Sequence, residues 1–231
     1  MNPALASRAA LAADVQAVLF DLDGTLVDSA PDLAGAANDL LQAHGLPPLP
    51  FEQLRPMVGS GARGMLGAAF GIAPGAPRYE ALRNDFLDRY EARMLRETRV
   101  VAAMGPVLQA LDRQGLRWGI VTNKIARFAV PVVDGLGLRA RCAVLVSGDT
   151  TAFAKPHPQP LLEAARQLAL EPERCIYVGD DRRDVQAGRS ARMPTLAAAW
   201  GYLGRGESVH DWHADAVLAQ PPELLNWLGM A

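Results

Sequence analysis

The chain has 231 residues, 50% of them hydrophobic and 21% charged, with a formal net charge of -2; that supports a buried core in one domain plus a small insert and excludes a disordered or strongly basic protein. The sequence holds no Lys/Arg block of nucleic-acid type and no run approaching the roughly 20 apolar residues of a membrane span, so neither nucleic acid nor membrane is an expected partner. Cys142 and Cys175 lack metal-type spacing and read as buried free thiols, and Met1 to Asp14 is Ala-rich without a basic start and apolar run, so the expected compartment is the reducing cytoplasm.

In chain order, the first apolar run, residues 17–20, is predicted as a buried strand. From Ser29 to about Val101 no convincing strand is legible. Residues 32–44, 62–70 and 79–96 have helical periodicity, and the Gly- and Pro-bearing stretch 71–77 reads as a loop between two of these helices. Tyr79, Phe86, Leu87 and Tyr90 fall on one face of the last one and read as its inner side. Pro31 disfavours helix at the residue before it, and Gly105-Pro106 punctuates the return, which places linkers near Ala30-Pro31 and Val101 to Gly105. Beyond that point helices at 107–114, 126–136, 160–170 and 182–191 alternate with strands at 118–121, 143–146, 176–178, 196–199 and 216–218. The alternation predicts an α/β fold with a parallel sheet covered on both faces. Residues 1–30 and 102–231 would form this core and residues 31–101 a helical insert. His210 and His213, with no further ligands nearby, read as a surface loop.

Ligands of open parallel sheets bind beyond the carboxyl ends of the strands, and polar groups collect there in four places. Asp21, directly after the first strand, suits a nucleophile that attacks phosphorus and forms an aspartyl phosphate. Asp23 suits a general acid toward the leaving alkoxide and then a base toward water. Gly24 allows close backbone approach to a phosphate, and Thr25 offers it a hydroxyl and an N–H. Thr122 and Asn123 can donate to phosphoryl oxygens, while Lys155, held by Pro156 at its loop exit, can neutralise charge on nucleophile and phosphoryl group. Carboxylates facing a phosphate dianion require a hard cation, and oxygen ligands suit Mg2+. Asp21 and Asp180 are the first candidates for its side-chain ligands. Asp184, one helical turn on, reaches the same cation directly, through water or through Lys155. Asp181 reads equally as a further acidic group or as the N-cap of the next helix.

Asp21-Leu22-Asp23-Gly24-Thr25, Thr122-Asn123-Lys124, Lys155-Pro156 and Gly179-Asp180 followed by Asp184 match in order and spacing the four motifs of the haloacid dehalogenase-like superfamily. From residue 17 to 228 the chain resembles its phosphatases with a helical cap after the first strand. The resemblance implies a Rossmann-like three-layer core, a helical cap, magnesium, Asp21 as nucleophile, Asp23 as acid/base and metal ligand through its main-chain carbonyl. Dehalogenases of the superfamily lack an acid at the position of Asp23, so dehalogenation is disfavoured. Asp21 to Pro31, Gly59-Ser60-Gly61-Ala62 and Lys155-Pro156-His157-Pro158 are similar to phosphoglycolate phosphatases; Gly61-Ala62-Arg63-Gly64-Met65, Arg127-Phe128-Ala129 and Trp200-Gly201-Tyr202 are also similar to N-acetylmuramic acid 6-phosphate phosphatases. The implied activity is hydrolysis of a small phosphate ester, 2-phosphoglycolate first and N-acetylmuramic acid 6-phosphate as the alternative, ahead of a sugar phosphomutase or a phosphoacceptor module. Both esters carry a carboxylate, for which Arg63, in a glycine-rich cap loop with Gly61, is the candidate partner; its other reading is an exposed helix-start arginine without a ligand.

Overall fold

The first apolar run folds as β1 (Ala17–Phe20), with all four residues buried, as a strand covered on both faces requires. The computed structural model describes residues 14–204 and 206–230; the Ala-rich start up to residue 13, included in the predicted 1–30 segment, lies outside the described residues. After β1 the chain turns into β2 (Val27–Asp28) and enters a helical layer: α1 (Ala30–Ala43), α2 (Phe51–Leu54), a 3-10 turn (Arg55–Ser60), α3 (Gly61–Phe70) and α4 (Tyr79–Glu91). It returns through β3 (Arg99–Val100), which pairs antiparallel with β2 through Val27 with Val100 and Asp28 with Arg99. Then follow α5 (Met104–Arg113), β4 (Arg117–Val121), α6 (Ala126–Gly135), β5 (Leu145–Val146), α7 (Gln159–Leu168), β6 (Cys175–Gly179), α8 (Arg182–Ser190), β7 (Thr195–Ala198), β8 (Ala216–Leu218) and α9 (Glu223–Trp227).

Six strands form one sheet in the order β5-β4-β1-β6-β7-β8, every neighbouring pair parallel. The chain runs outward from β1 through β4 to β5 and resumes at β6 on the opposite side, so the order reverses at β1. The carboxyl ends of β1 and β6 therefore flank a topological switch point, the usual ligand crevice of such sheets. Side chains alternate across β1: Val18 and Phe20 join Trp118, Ile120 and Val178 against α5, α6 and α9, whereas Ala17 and Leu19 join Val121 and Tyr177 against α7 and α8. This is the predicted α/β architecture in three layers. Among the described residues, no helix is long and apolar enough to cross a membrane.

The helical layer has its own apolar cluster, including Leu40, Met65, Leu66, Phe86 and Tyr90, into which Phe128 of α6 and Tyr202 project from the sheet side. Phe128 meets the Tyr90 ring edge-on at 5.4 Å. Burying such a side chain contributes roughly 1.5–3 kcal/mol. The nearby Arg127–Asp88 pair, at 2.8 Å, has both side chains exposed, where water screens the charges and little stability results. Apolar contact, not charge, dominates this junction.

Where prediction and structure differ, the elements are short or captured. β3, α2 and the 3-10 turn span two, four and six residues, too few for a period to show. The strand expected at 143–146 narrows to β5, although the Ala143 N–H donates to Trp118 O at 2.8 Å. The helix expected to reach residue 96 stops at Glu91. Beyond it the chain is drawn to α1, where Asp32, buried in the first turn, accepts through Oδ2 from the N–H of Glu97 (3.0 Å) and from the N–H and hydroxyl of Thr98 (both 2.8 Å). Those backbone donors cannot serve a helix as well.

Candidate active site

Beyond Phe20 the backbone must turn sharply to bring Asp21 and Asp23 to one side, and Gly24 makes that turn at φ +87°. A Cβ at Gly24 would lie 2.2 Å from Asp180 Oδ2. The position therefore demands glycine twice, once for the backbone and once for space. Gly24→Ala is expected to cost about 3 kcal/mol from combined strain and overpacking, a Tm drop of roughly 6–12 °C in a thermal melt. An unchanged Tm would remove this account of the turn.

Asp180, at the end of β6, is 3% exposed. Its Oδ1 accepts from the Thr25 hydroxyl at 3.0 Å and its Oδ2 from the Tyr202 N–H at 2.7 Å. Burial, then the charges of Asp21 and Asp184, push its carboxyl well above the usual range against those two bonds. Asp184 is raised to about 6, mainly by burial, with Lys155 opposing. Carboxylate oxygens of Asp21, Asp180 and Asp184 all lie within 4.8 Å of one another. Asp21 Oδ1 accepts no well-aligned hydrogen bond, although Lys155 Nζ stands 2.9 Å away. Three crowded oxygen donors, one buried and unsatisfied, fit a hard divalent cation. His210 and His213 take no part in this group.

Lys155 is 5% exposed and sits 2.8 Å from Asp184 Oδ1; its ammonium also donates to Val121 O (3.0 Å) and the Tyr177 hydroxyl (2.6 Å). Burial alone would lower its pKa, but Asp184 and then Asp21 reverse that and hold the ammonium charged. Asn123 clasps the backbone of Lys155, donating to its carbonyl and accepting from its N–H, each at 2.9 Å. Asp181 caps α8: its carboxylate accepts from the Arg183 N–H (2.8 Å), while Asp184 Oδ2 accepts from the Asp181 N–H (3.0 Å), a reciprocal capping box. Of the two readings of Asp181, the structure has the cap.

Asp23 faces the helical layer. Lys124 Nζ donates to both its oxygens, at 2.9 and 3.0 Å, and the Ser29 hydroxyl donates to Oδ1. The same ammonium lies 4.7 Å from the centre of the Tyr90 ring. Burial would lower the Lys124 pKa, but Asp23 and then Tyr90 raise it. Tyr202, whose N–H holds Asp180, accepts from the N–H groups of Ser29 (2.8 Å) and Ala30 (3.0 Å) through its hydroxyl.

One cavity of about 440 Å³ between sheet edge and helical layer is walled by Asp21, Asp23, Thr122, Asn123, Lys155, Asp180 and Asp184 from below and by Gly61 and Arg63 from above. Gly24 and Thr25 stand behind this wall, and the Thr25 hydroxyl is directed at Asp180 rather than at the cavity. Gly61 and Arg63 occupy the first turn of α3, in line with the helix expected over 62–70 and with the helix-start reading of Arg63, and Gly59 and Ser60 wind into the preceding 3-10 turn. The spacing gave no sign of Lys124 as the partner of Asp23 or of the Tyr202 hydroxyl as a brace for Ser29; these contacts join residues 101 and 173 positions apart.

The sequence profile of the haloacid dehalogenase-like hydrolases matches residues 18–198. The chain belongs to that family. It is 47% identical over 209 residues to a phosphoglycolate phosphatase of Xanthomonas campestris pv. campestris, covering 90% of this chain and 94% of that one. It is 42% identical over 217 residues to an N-acetylmuramic acid 6-phosphate phosphatase of Pseudomonas aeruginosa, covering 94% and 96%. The crystal structure of a predicted phosphoglycolate phosphatase from Haemophilus somnus superposes with a TM-score of 0.82 at 24% identity over 92% of this chain and 97% of that one, a likeness of fold. The haloacid dehalogenase-like hydrolase described here is a phosphatase of this family.

Proposed function

We propose that the chain is a magnesium-dependent phosphomonoesterase for a small phosphorylated acid, working through an aspartyl phosphate on Asp21. The observation that carries this reading is the trio Asp21, Asp180 and Asp184, the last two buried and the first partly so, mutually crowded at the switch point of the sheet. Asp21 and Asp180 would hold Mg2+ with their side chains and Asp23 with its main-chain carbonyl; Asp184 adds to the acidic wall and anchors Lys155. When bound, the cation offsets charge on the carboxylates and phosphoryl oxygens.

A carboxylate oxygen of Asp21 attacks phosphorus, the bond from phosphorus to the ester oxygen breaks, and Asp23 gives that oxygen a proton. Asp23 then takes a proton from water, which attacks the aspartyl phosphate and releases inorganic phosphate. Thr122 and the Lys155 ammonium meet the charge that builds on the phosphoryl oxygens, with Asn123 keeping Lys155 in register. Residues 31–101 act as a cap, excluding bulk water through the Phe128–Tyr90 contact. The candidate substrates are 2-phosphoglycolate, after the Xanthomonas relative, or, as the alternative, N-acetylmuramic acid 6-phosphate, after the Pseudomonas one.

Phosphate release from an aryl phosphate, assayed with magnesium and with excess chelator, tests the reading. Chelation is expected to lower the rate at least about 100-fold, equivalent to several kcal/mol of lost charge stabilisation. Asp23→Ala is expected to accumulate phosphorylated protein with a labile acyl phosphate while turnover falls about 100- to 10,000-fold. Full activity in chelator, or undiminished turnover in Asp23→Ala, would refute the metal or the acid/base role respectively.

A further inference from the structure

Five cationic side chains line the cavity, and three of them are already committed. Lys155 is paired with Asp21 and Asp184, Lys124 with Asp23, and Arg183 with Asp181 at 2.7 Å. The remaining two come from the helical layer. Arg63, in the first turn of α3, makes no ion pair or hydrogen bond with any described residue. Arg83, on α4, has a single loose partner, Glu80 at 3.8 Å, whose own side chain is 74% exposed to competing water. The floor of the cavity thus keeps its charges among its own residues, while its roof offers guanidinium groups with nothing to hold.

The rest of the roof is mainly aromatic and aliphatic. Tyr79, Phe86 and Tyr90 of α4, with Phe128 of α6 beside them, turn into the same space. A volume of about 440 Å³ lies within the ~300–1,000 Å³ range of pockets that enclose drug-sized molecules. A two-carbon acid with its phosphate on Asp21 would leave most of that space, and the aromatic wall, to water.

We infer that this cavity selects a ring-sized phosphorylated acid, a phosphosugar bearing a carboxylate, and that Arg83 of α4 is a specificity-determining residue which reads the carboxylate together with Arg63. The inference rests on the phosphatase reading for the end at which the phosphate sits. The aromatic side chains take the apolar face of the ring, and the guanidinium groups take the acid by charge-assisted, fork-like hydrogen bonds. Only the roof distinguishes one ester from another, because the floor touches the phosphoryl group common to all.

The test is binding, measured by titration calorimetry with magnesium present on Asp21→Asn protein, which retains the cavity without consuming its ligand. Three probes separate size from charge: 2-phosphoglycolate, N-acetylmuramic acid 6-phosphate and the neutral-ring ester N-acetylglucosamine 6-phosphate. The ring acid is expected to bind at least about tenfold tighter than either of the others. Adding Arg83→Met is expected to reduce the ring-acid to neutral-ring preference about tenfold or more, with Arg83→Lys retaining part of it. Arg83 is partly exposed, so neither change threatens folding. Equal or tighter binding of 2-phosphoglycolate, or an unaltered preference in Arg83→Met, overturns the inference. Wild-type hydrolysis of an aryl phosphate is measured alongside. Its absence with the binding order intact would overturn the phosphatase reading and leave the assignment of the pocket standing.

Discussion

Asp21→Asn is expected to abolish turnover, with kcat lowered on the order of 10,000-fold, because an amide oxygen is a poor nucleophile. The substitution preserves shape, so the loss isolates chemistry from packing. Its effect on stability should run the other way. The charge of Asp21 is one reason the carboxyls of Asp180 and Asp184 sit above their usual range. Neutralising it relieves repulsion among buried groups while Lys155 keeps Asp184 as partner at 2.8 Å. In metal-free buffer the variant should therefore melt no lower than the wild type. A variant retaining a tenth or more of wild-type kcat would remove Asp21 from the nucleophile's role, and a lower Tm would contradict the crowding.

Lys155→Met is expected to harm both activity and fold. Its ammonium is the one cation within bonding distance of Asp21 and Asp184 among the described residues. Removing one side of a buried ion pair strands the other, a cost of about 3–5 kcal/mol, or a Tm drop of roughly 6–20 °C in a chain of this size. Activity should fall about 100- to 1,000-fold, the scale of losing one preorganised charge at a reacting centre. The pH dependence has a definite sign. Asp184 already titrates at about 6, against an ordinary 3.8, with Lys155 opposing that rise. Without Lys155 its pKa climbs further, so the folded state binds more protons than the unfolded one across the interval between the two values. Stability of the variant should then decline as pH rises from about 4 through and beyond 6. Magnesium should restore part of it. Melts at pH 5 and pH 8, with and without the metal, measure this; a variant equally stable at both would contradict it.

The strands and the four motifs were legible because each is a local pattern: a buried parallel strand is a run of apolar residues, and its functional side chain follows directly. Phe20 announces Asp21 in that way, and Val178-Gly179 announces Asp180. What stayed hidden are relations across the chain. Thr25 offers a hydroxyl in any reading of its sequence, but that its partner is Asp180 depends on β1 and β6 lying side by side. Asn123 reads as a phosphate donor from its place after β4, and that it also clasps the backbone of Lys155, 32 positions later, depends on the fold. Asp181 had two readings of equal standing, and the capping geometry of α8 separates them. The end of α4 is a related case: the periodicity runs on past Glu91, while Asp32, more than 60 positions earlier, holds the backbone of Glu97 and Thr98.

The pairing of β2 with β3 has a mechanical meaning. Were the two passages between sheet and helical layer separate strings, the layer could swing and twist on them freely. Here they are zipped edge to edge. Asp32 clips the inbound passage to α1, and the Tyr202 hydroxyl clips the outbound one beside Asp180. Two strings become one strap hinge, which bends across its width and resists torsion. So mounted, Arg63, Arg83 and the aromatic roof are held in register above Asp21.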